Sequence, residues 1–366
     1  MDGHQHLLHI AKSYLQESVS PHAAAIDSDS DALQNALIGL GELGLLALRV
    51  PSQWGGSQVS GETFHTFGEL VARSSGALAF LQTQHQSAAA MLVQSQNDYL
   101  KQEYLPHLGN GQILVGVGFS HLRRAGNPLV VAHRVSGGYQ LEGLVPWVTG
   151  FGLFQEFIVA AALPDGQAVF GVVPFVETDH NVLGAIAFSQ PMALAAMTST
   201  NTVTATLTGW FLPQERVVSV KPKGWIHEND KKNVLNATAL ALGCALAGLD
   251  IMQAAYSTKR LSFIAQAKEA LDRELTDCRT AIRQAQQHHR ESHRKRLQLR
   301  AWAIDLAVRC AHAAVTVSSG AANQRHHAAQ RVYREALVFT VSGQTTAVME
   351  ATLARLVSSE FDTVVT

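Results

Sequence analysis

The run Phe157-Ile158-Val159-Ala160-Ala161-Ala162-Leu163, then Pro164-Asp165-Gly166, then Ala168-Val169-Phe170-Gly171-Val172-Val173-Pro174 decides the fold of this chain. Two short apolar stretches rich in β-branched and aromatic residues flank a turn, where proline presets φ, aspartate folds back on the backbone and glycine accepts a positive φ. This pattern predicts a pair of strands. Similar runs lie nearby at Ile113 to Ser120, Leu129 to Arg134, Tyr139 to Leu141 and Thr202 to Leu207. Residues 113–222 therefore read as a predominantly antiparallel β domain, a small barrel or sandwich.

Beyond those limits the period changes from two to that of a helix. Leu33, Leu37 and Leu40, and then Phe64, Phe67, Leu70 and Val71, recur at helical spacing, so residues 1–112 form a helical domain, interrupted by a loop from Pro51 to Gly56. After residue 223 the stripes are longer. Leu235, Leu242, Leu246 and Leu249 share one face; Leu271, Leu275, Cys278, Ile282 and Ala285 form a second stripe, and Ile304, Val308, Ala311 and Val315 a third. With Arg334 to Leu356 as the last member, residues 223–366 read as a four-helix bundle. The chain is mainly α with a central β domain.

A length of 366 residues with 47% hydrophobic side chains supports a large core. Lys+Arg 28 against Asp+Glu 29 leaves no electrostatic footprint for nucleic acid or an anionic membrane surface. The N-terminal Met1-Asp2-Gly3-His4-Gln5-His6 has no basic region leading into an apolar core, and no uninterrupted apolar run approaches the length that spans a bilayer, so a cytoplasmic protein is expected. Cys244, Cys278 and Cys310 sit far apart in apolar helical patterns and read as buried free thiols. The 17 histidines include His288-His289 and His326-His327, but adjacent helical residues point about 100° apart. Without carboxylate or thiolate partners at ligand spacing, they do not suggest a metal site.

Several local motifs, taken in order, resemble the acyl-CoA dehydrogenase superfamily. They are Glu42-Leu43-Gly44-Leu45-Leu46 with Val50-Pro51 and Gly55-Gly56; Leu105-Pro106, Gly111 and Phe119-Ser120; Gly143 through Trp147-Val148-Thr149-Gly150; and Gly243 to Asp250. The helix, β, four-helix-bundle order fits the same family. The resemblance implies FAD. In it Trp147 is the wall of the flavin ring, Phe119, Ser120 and Thr149 lie at its edge, and Lys259-Arg260 stands where an arginine grips the FAD pyrophosphate, without the Phe-Gly that follows there. Gly320 in Ser318-Ser319-Gly320-Ala321 is the remaining permissive backbone of a Gly-Gly at the adenine end.

Arg334-Glu335-Ala336 followed by Phe339-Thr340-Val341-Ser342-Gly343-Gln344-Thr345 resembles the family's Arg-Asp-Ala and Tyr-Glu-Gly-Thr, whose Glu abstracts the substrate α-proton. With Thr345 on the family's Thr, Gly343 occupies the position of that Glu. Glycine supplies no base, although its backbone N–H remains a donor for an acyl carbonyl. The alternative base position of some family members is Asn233, which is equally unable to serve. His121, with an intrinsic pKa near the working pH, is the replacement base that the sequence suggests; Glu335 and Glu350 fit only with a rotated last helix. The family's CoA-contact loop is replaced by Ser120-His121-Leu122-Arg123-Arg124-Ala125-Gly126-Asn127, where the arginines suit phosphate or carboxylate, or a solvated loop.

The resemblance thus implies an FAD-dependent oxidoreductase acting on CH–CH of an acyl thioester or related small molecule, as a homodimer or homotetramer. A flavin-dependent monooxygenase on the same scaffold needs no α-proton abstraction and is the alternative. A non-catalytic flavoprotein or bare scaffold is the third reading.

Overall fold

The computed structural model describes residues 3–287 and 291–357, so His288-His289 lies outside the described residues. The chain forms two compact units, one made of Met1–Phe64 with Ala77–Asn229, the other of His65–Gly76 with Asp230–Thr366. Before the strands come α1 (Gly3–Tyr14), α2 (Ala23–Ser28), α3 (Ser30–Glu42), α4 (Gly61–Ser74), α5 (Gly76–Val93) and α6 (Asp98–Leu108). The strands are β1 (Val115–Gly118), β2 (Val130–Val135), β3 (Gly138–Val148), β4 (Glu156–Ala162), β5 (Ala168–Pro174), β6 (Thr178–His180), β7 (Gly184–Phe188), β8 (Val203–Pro213) and β9 (Val217–Lys221). There follow α7 (Trp225–Lys232), α8 (Thr238–Lys259), α9 (Ser262–Gln287), α10 (His293–Ser318), α11 (Ala328–Val341) and α12 (Thr346–Val357).

In the first unit the strands make a nine-stranded sheet in the order β6-β7-β8-β3-β2-β4-β5-β9, with β1 paired to β4. The Pro164-Asp165-Gly166 turn joins β4 to β5, which pair antiparallel from Glu156 opposite Pro174 to Ala162 opposite Ala168. Most other pairs are antiparallel as the alternation implies, but β1 runs parallel to β4, and β2 meets β4 in parallel at Val131 and Ala162. Those parallel contacts are non-local, and the local pattern that reveals hairpins carries no trace of them.

The apolar face of this sheet is covered by helices of the same unit. Ala88, Ala89 and Leu92 of α5 and Tyr104, Leu105 and Leu108 of α6 pack with Ile158, Ala160, Phe170 and Val172. Two polar residues fix the register of the layers. Asn97 caps α6 by accepting from the Leu100 N–H (3.3 Å), while its amide donates to the Glu215 and Val217 carbonyls (2.9 and 3.1 Å). Buried His85 donates from Nε2 to the Leu108 carbonyl (3.0 Å) and accepts at Nδ1 from the Val115 N–H (3.0 Å). That pair of bonds requires the neutral ring, and burial lowers its pKa accordingly.

In the second unit α8 is the central helix. It is long and apolar enough to cross a membrane by length and composition, which the sequence reading did not anticipate, and 67% of its apolar window is buried against the rest of the protein. Two glycines let its neighbours approach. A Cβ on Gly243 would lie 2.4 Å from the Glu69 carbonyl oxygen and 2.6 Å from the Ala72 Cβ, and one on Gly248 would lie 2.7 Å from the Cys310 carbonyl. The second stripe is buried at Leu275, Cys278, Ile282 and Ala285. The three cysteines are buried and free, with burial pushing the Cys278 and Cys310 thiols up to about 12.

The last bundle member is not one helix from Arg334 to Leu356. It breaks into α11 and α12 at Gly343, whose φ is +60°. Ser342 and Gly343 end α11, and the Thr345 hydroxyl accepts from the Val348 N–H (3.2 Å) to start α12. Replacing Gly243 with valine forces α8 away from α4 and should cost about 1–3 kcal/mol. Chemical denaturation of G243V against wild type measures that loss, with the same substitution at the open, exposed Gly320 as control.

Candidate functional site

In the first unit the residues expected near a flavin sit at the ends of β1 and β3. Phe119 packs edge-on against Phe170, with ring centroids 5.6 Å apart. Ser120 is exposed at the start of a short 3-10 turn, and its hydroxyl has no hydrogen-bond partner among the described residues. Trp147 lies on β3 where the register with β8 shifts between Val145 and Val148, and its side chain is left 46% exposed. Thr149 faces inward. Its hydroxyl joins Thr202 (3.0 Å), which continues to Thr200 (3.4 Å) and the Met197 carbonyl (2.8 Å). Thr149 thus braces the strand end, leaving Ser120 as the hydroxyl open to solvent.

His121 is buried in the same unit. Its Nε2–H donates to the Ala160 carbonyl (3.0 Å), so the neutral ring carries its lone pair on Nδ1, which has no partner. Burial, and to a smaller extent the nearby Arg124, push its pKa down to about 4. A ring so weakly basic and so enclosed is a poor general base, which argues against the role expected for it.

The ring forms part of the wall of a cavity of about 670 Å³, where Arg124, His133, Gln167, Lys223 and His227 supply the other long polar side chains. Among the described residues no carboxylate lines it. Gly166, with φ +81°, gives the β4–β5 turn room for Lys223, since a Cβ there would come within 2.9 Å of the lysine stem. Trp225 forms the floor by packing edge-on against Phe170 (5.1 Å). The arginine pair in the loop after β1 hinted at an anion site, but Lys223, His133 and His227 were not anticipated. Their signal was weak: a Lys-Gly after the last strand and isolated histidines at surface positions.

In the second unit the turn at Gly343 is built around a residue that the sequence reading passed over. Arg300 on α10 is buried; Nη1 donates to the Val234 carbonyl (3.0 Å), while Nη2 donates to the carbonyls of Ser342 and Gly343, the latter at 3.3 Å. A Cβ on Gly343 would lie 3.6 Å from Nη2. A signal for Arg300 was present, because four residues before Ile304 it continues the apolar stripe Ile304, Val308, Ala311 and Val315, buried at Ile304 and Ala311 and half-buried at the two valines. Glu335 is fully buried, paired with Arg331 (2.5 Å) and accepting the Gly76 N–H (3.1 Å), so it serves the fold. Glu350 is exposed on α12.

Lys259 and Gly320 lie together at another end of the second unit. The Lys259 ammonium donates to the Val317 carbonyl (2.6 Å) and reaches the Ser319 hydroxyl (3.4 Å), capping α10 with a cation where the helix dipole is negative. The positive φ falls on Ser319 (+56°) and on Arg260 (+55°), not on Gly320, whose expected special backbone is not used. Among the described residues no cluster of three or more metal-ligating side chains occurs, and His327 caps α11 by accepting the Ala329 N–H (3.1 Å).

Residues 1–112 match the family described as acyl-CoA dehydrogenase, N-terminal domain. A probable acyl-CoA dehydrogenase of Bacillus subtilis is 22% identical over 368 residues, covering 94% of this chain and 95% of that protein. Mitochondrial isovaleryl-CoA dehydrogenase of Solanum tuberosum is 27% identical over 219 residues, 58% of this chain; that match spans about half of the relative, 52% of its length. In fold, the chain is similar to glutaryl-CoA dehydrogenase from Mycobacterium smegmatis, with a TM-score of 0.81, 16% identity and coverage of 98% and 95% of the two chains.

The depressed pKa of His121 makes stability pH-dependent. The unfolded ring takes a proton near the ordinary 6.5 and the folded ring only near 4, so the unfolded state binds more protons between these values. The contribution is complete above pH 6.5 and is lost as pH falls through 4, a span worth on the order of 3 kcal/mol. Nitrogen-15 NMR of the histidine rings should show His121 as the Nε2–H tautomer down to about pH 5, and H121Q should flatten the acid limb of the stability curve.

Proposed function

Because the chain belongs to the acyl-CoA dehydrogenase superfamily, we propose that it is an FAD-dependent oxidoreductase acting at Cα–Cβ of an acyl thioester or a related activated carbonyl compound. The observation that carries this reading is Trp147. An indole gains from burial, and one left 46% exposed on a strand beside a register shift is a surface suited to cover a planar ring. The residues present fit a flavin there: Trp147 as wall, and Ser120 as a free hydroxyl at the edge. Lys259 keeps a donor hydrogen to spare beyond its two partners, and with Arg260 it is the cationic pair that the family resemblance gives to the pyrophosphate of a neighbouring subunit's FAD. Bound FAD supplies the acceptor for a hydride.

The protein's own residues account for the substrate side. The cavity lined by Arg124 and Lys223, with no opposing carboxylate, favours the anionic end of an acyl carrier. The Gly343 N–H is the donor for the acyl carbonyl. Tyr333, Leu337 and Val341 on α11 and Met349 and Leu353 on α12 are exposed apolar residues at helical spacing, which supports a homo-oligomer joined through the bundle.

Glycine at 343 beside a buried arginine favours the second reading, a flavin monooxygenase, because no carboxylate stands there to take an α-proton. The visible spectrum of the purified protein, recorded anaerobically before and after a mixed panel of acyl-CoAs, separates the readings. Bleaching of the flavin bands is expected. Bands that persist favour the monooxygenase, and no bands after FAD is supplied overturn both. In the double variant R124Q/K223Q, butyryl-CoA should bind about ten-fold or more weakly in a titration, the loss expected for one or two charge-assisted hydrogen bonds.

A further inference from the structure

The Ser342 carbonyl and the Gly343 N–H are the two ends of one peptide unit, and the guanidinium of Arg300 is bound to the carbonyl end. A cation on the oxygen draws electron density from the amide nitrogen, makes the N–H a stronger donor and fixes the plane of the group. The N–H itself is at an exposed position. Ser342 donates back to the Val338 carbonyl (3.0 Å), and Gln344 donates to the carbonyl of Val341, the last residue of α11 (3.2 Å). Between them the positive φ of Gly343 turns its N–H out of the helix ladder, and it donates to no acceptor among the described residues.

The same arginine corrects an electrostatic fault. The C-terminal end of α11 carries a partial negative charge, which opposes any negative charge developing on a nearby carbonyl oxygen. Arg300 places a full positive charge at that end, held by three carbonyls so that it needs no reorganisation during reaction.

We infer that Arg300 is a positioning residue for catalysis: through the Ser342–Gly343 peptide it orients and polarises the Gly343 N–H as the donor to the substrate carbonyl oxygen. This rests on the acyl-substrate reading above and deepens it, since it assigns the stabilisation of an enolate-like oxygen to a buried cation acting through one amide. A pure clamp would hold the turn but leave the amide electronically ordinary.

The test uses the full chain labelled with nitrogen-15 glycine, with the Gly343 amide assigned by its absence in G343A. In R300M the Gly343 proton resonance should move upfield while the other glycine resonances stay in place. R300K, which keeps the charge with fewer donors, should restore part of the shift. With butyryl-CoA, flavin bleaching should slow by on the order of 10²-fold in R300M with little change in the ligand's Kd, and R300K should recover part of the rate. An unmoved Gly343 resonance in a folded R300M overturns the inference; if R300M does not fold, the resonance in R300K decides in the same way. Wild-type protein that holds flavin but does not bleach with any acyl-CoA sinks the dehydrogenase reading, while the amide shift still judges Arg300.

Discussion

The second unit depends on one constraint: the first half of α8, Thr238 to Leu249, is apolar around most of its circumference and must be covered. A helix with a single apolar stripe can lie on a surface, whereas this one needs neighbours all round. Gly243 and Gly248 allow the backbones of α4 and α10 to come within van der Waals contact, so the cover is made by close approach of helices and not by large side chains. Membership of residues 65–76 in this unit follows from that packing, since Glu69 and Ala72 are the atoms against Gly243.

A core packed this way has little room for unanswered charge, and its ionic groups are each tied down. His65 donates from Nε2 to the Thr238 hydroxyl (2.9 Å), whose own proton goes to the Leu235 carbonyl (2.6 Å), and its Nδ1 lies 3.3 Å from Glu69. Glu69 also accepts from Arg279 (2.8 Å), and Arg331 holds Glu335. Burying an ion is costly unless it is bonded, and breaking such a pair costs more than forming it gains. These carboxylates are therefore structural fixtures, and none is a stand-in for a proton acceptor at residue 343.

What could be read from the sequence was whatever is encoded locally. The Phe157 and Ala168 runs with their Pro-Asp-Gly turn became β4 and β5 in the expected antiparallel register, and the buried cysteine stripe held. The break at Gly343 was missed because Arg334 to Leu356 keeps a helical apolar pattern across it and contains no proline. Its marks were present, in a glycine two residues before a threonine able to cap the next helix. His121 looked suitable by intrinsic pKa, but burial lowers that pKa and the Ala160 carbonyl fixes the ring, both products of a parallel β1–β4 pairing that no local signal announces. Arg300 shows the same limitation from the other direction: a charge on an apolar stripe can be noticed, but the three carbonyls that hold it come from distant parts of the chain.

On the proposed alignment, residue 343 separates two functions that the family's Glu combines, a side chain that takes a proton and a backbone N–H that holds an oxygen. Glycine deletes the first without touching the second. It also makes the left-handed turn inexpensive, where a side chain at φ +60° would cost roughly 1–2 kcal/mol. A carboxylate placed there would meet Arg300 directly, because even its Cβ would stand 3.6 Å from the guanidinium. A base paired with a buried cation is a weakened base, since the pairing favours the charged, proton-free form. On the proposed reading the arginine and the glycine are mutually consistent: positive charge concentrated on one amide suits a developing negative charge on a carbonyl oxygen, and the α-proton leaves toward a group outside this turn.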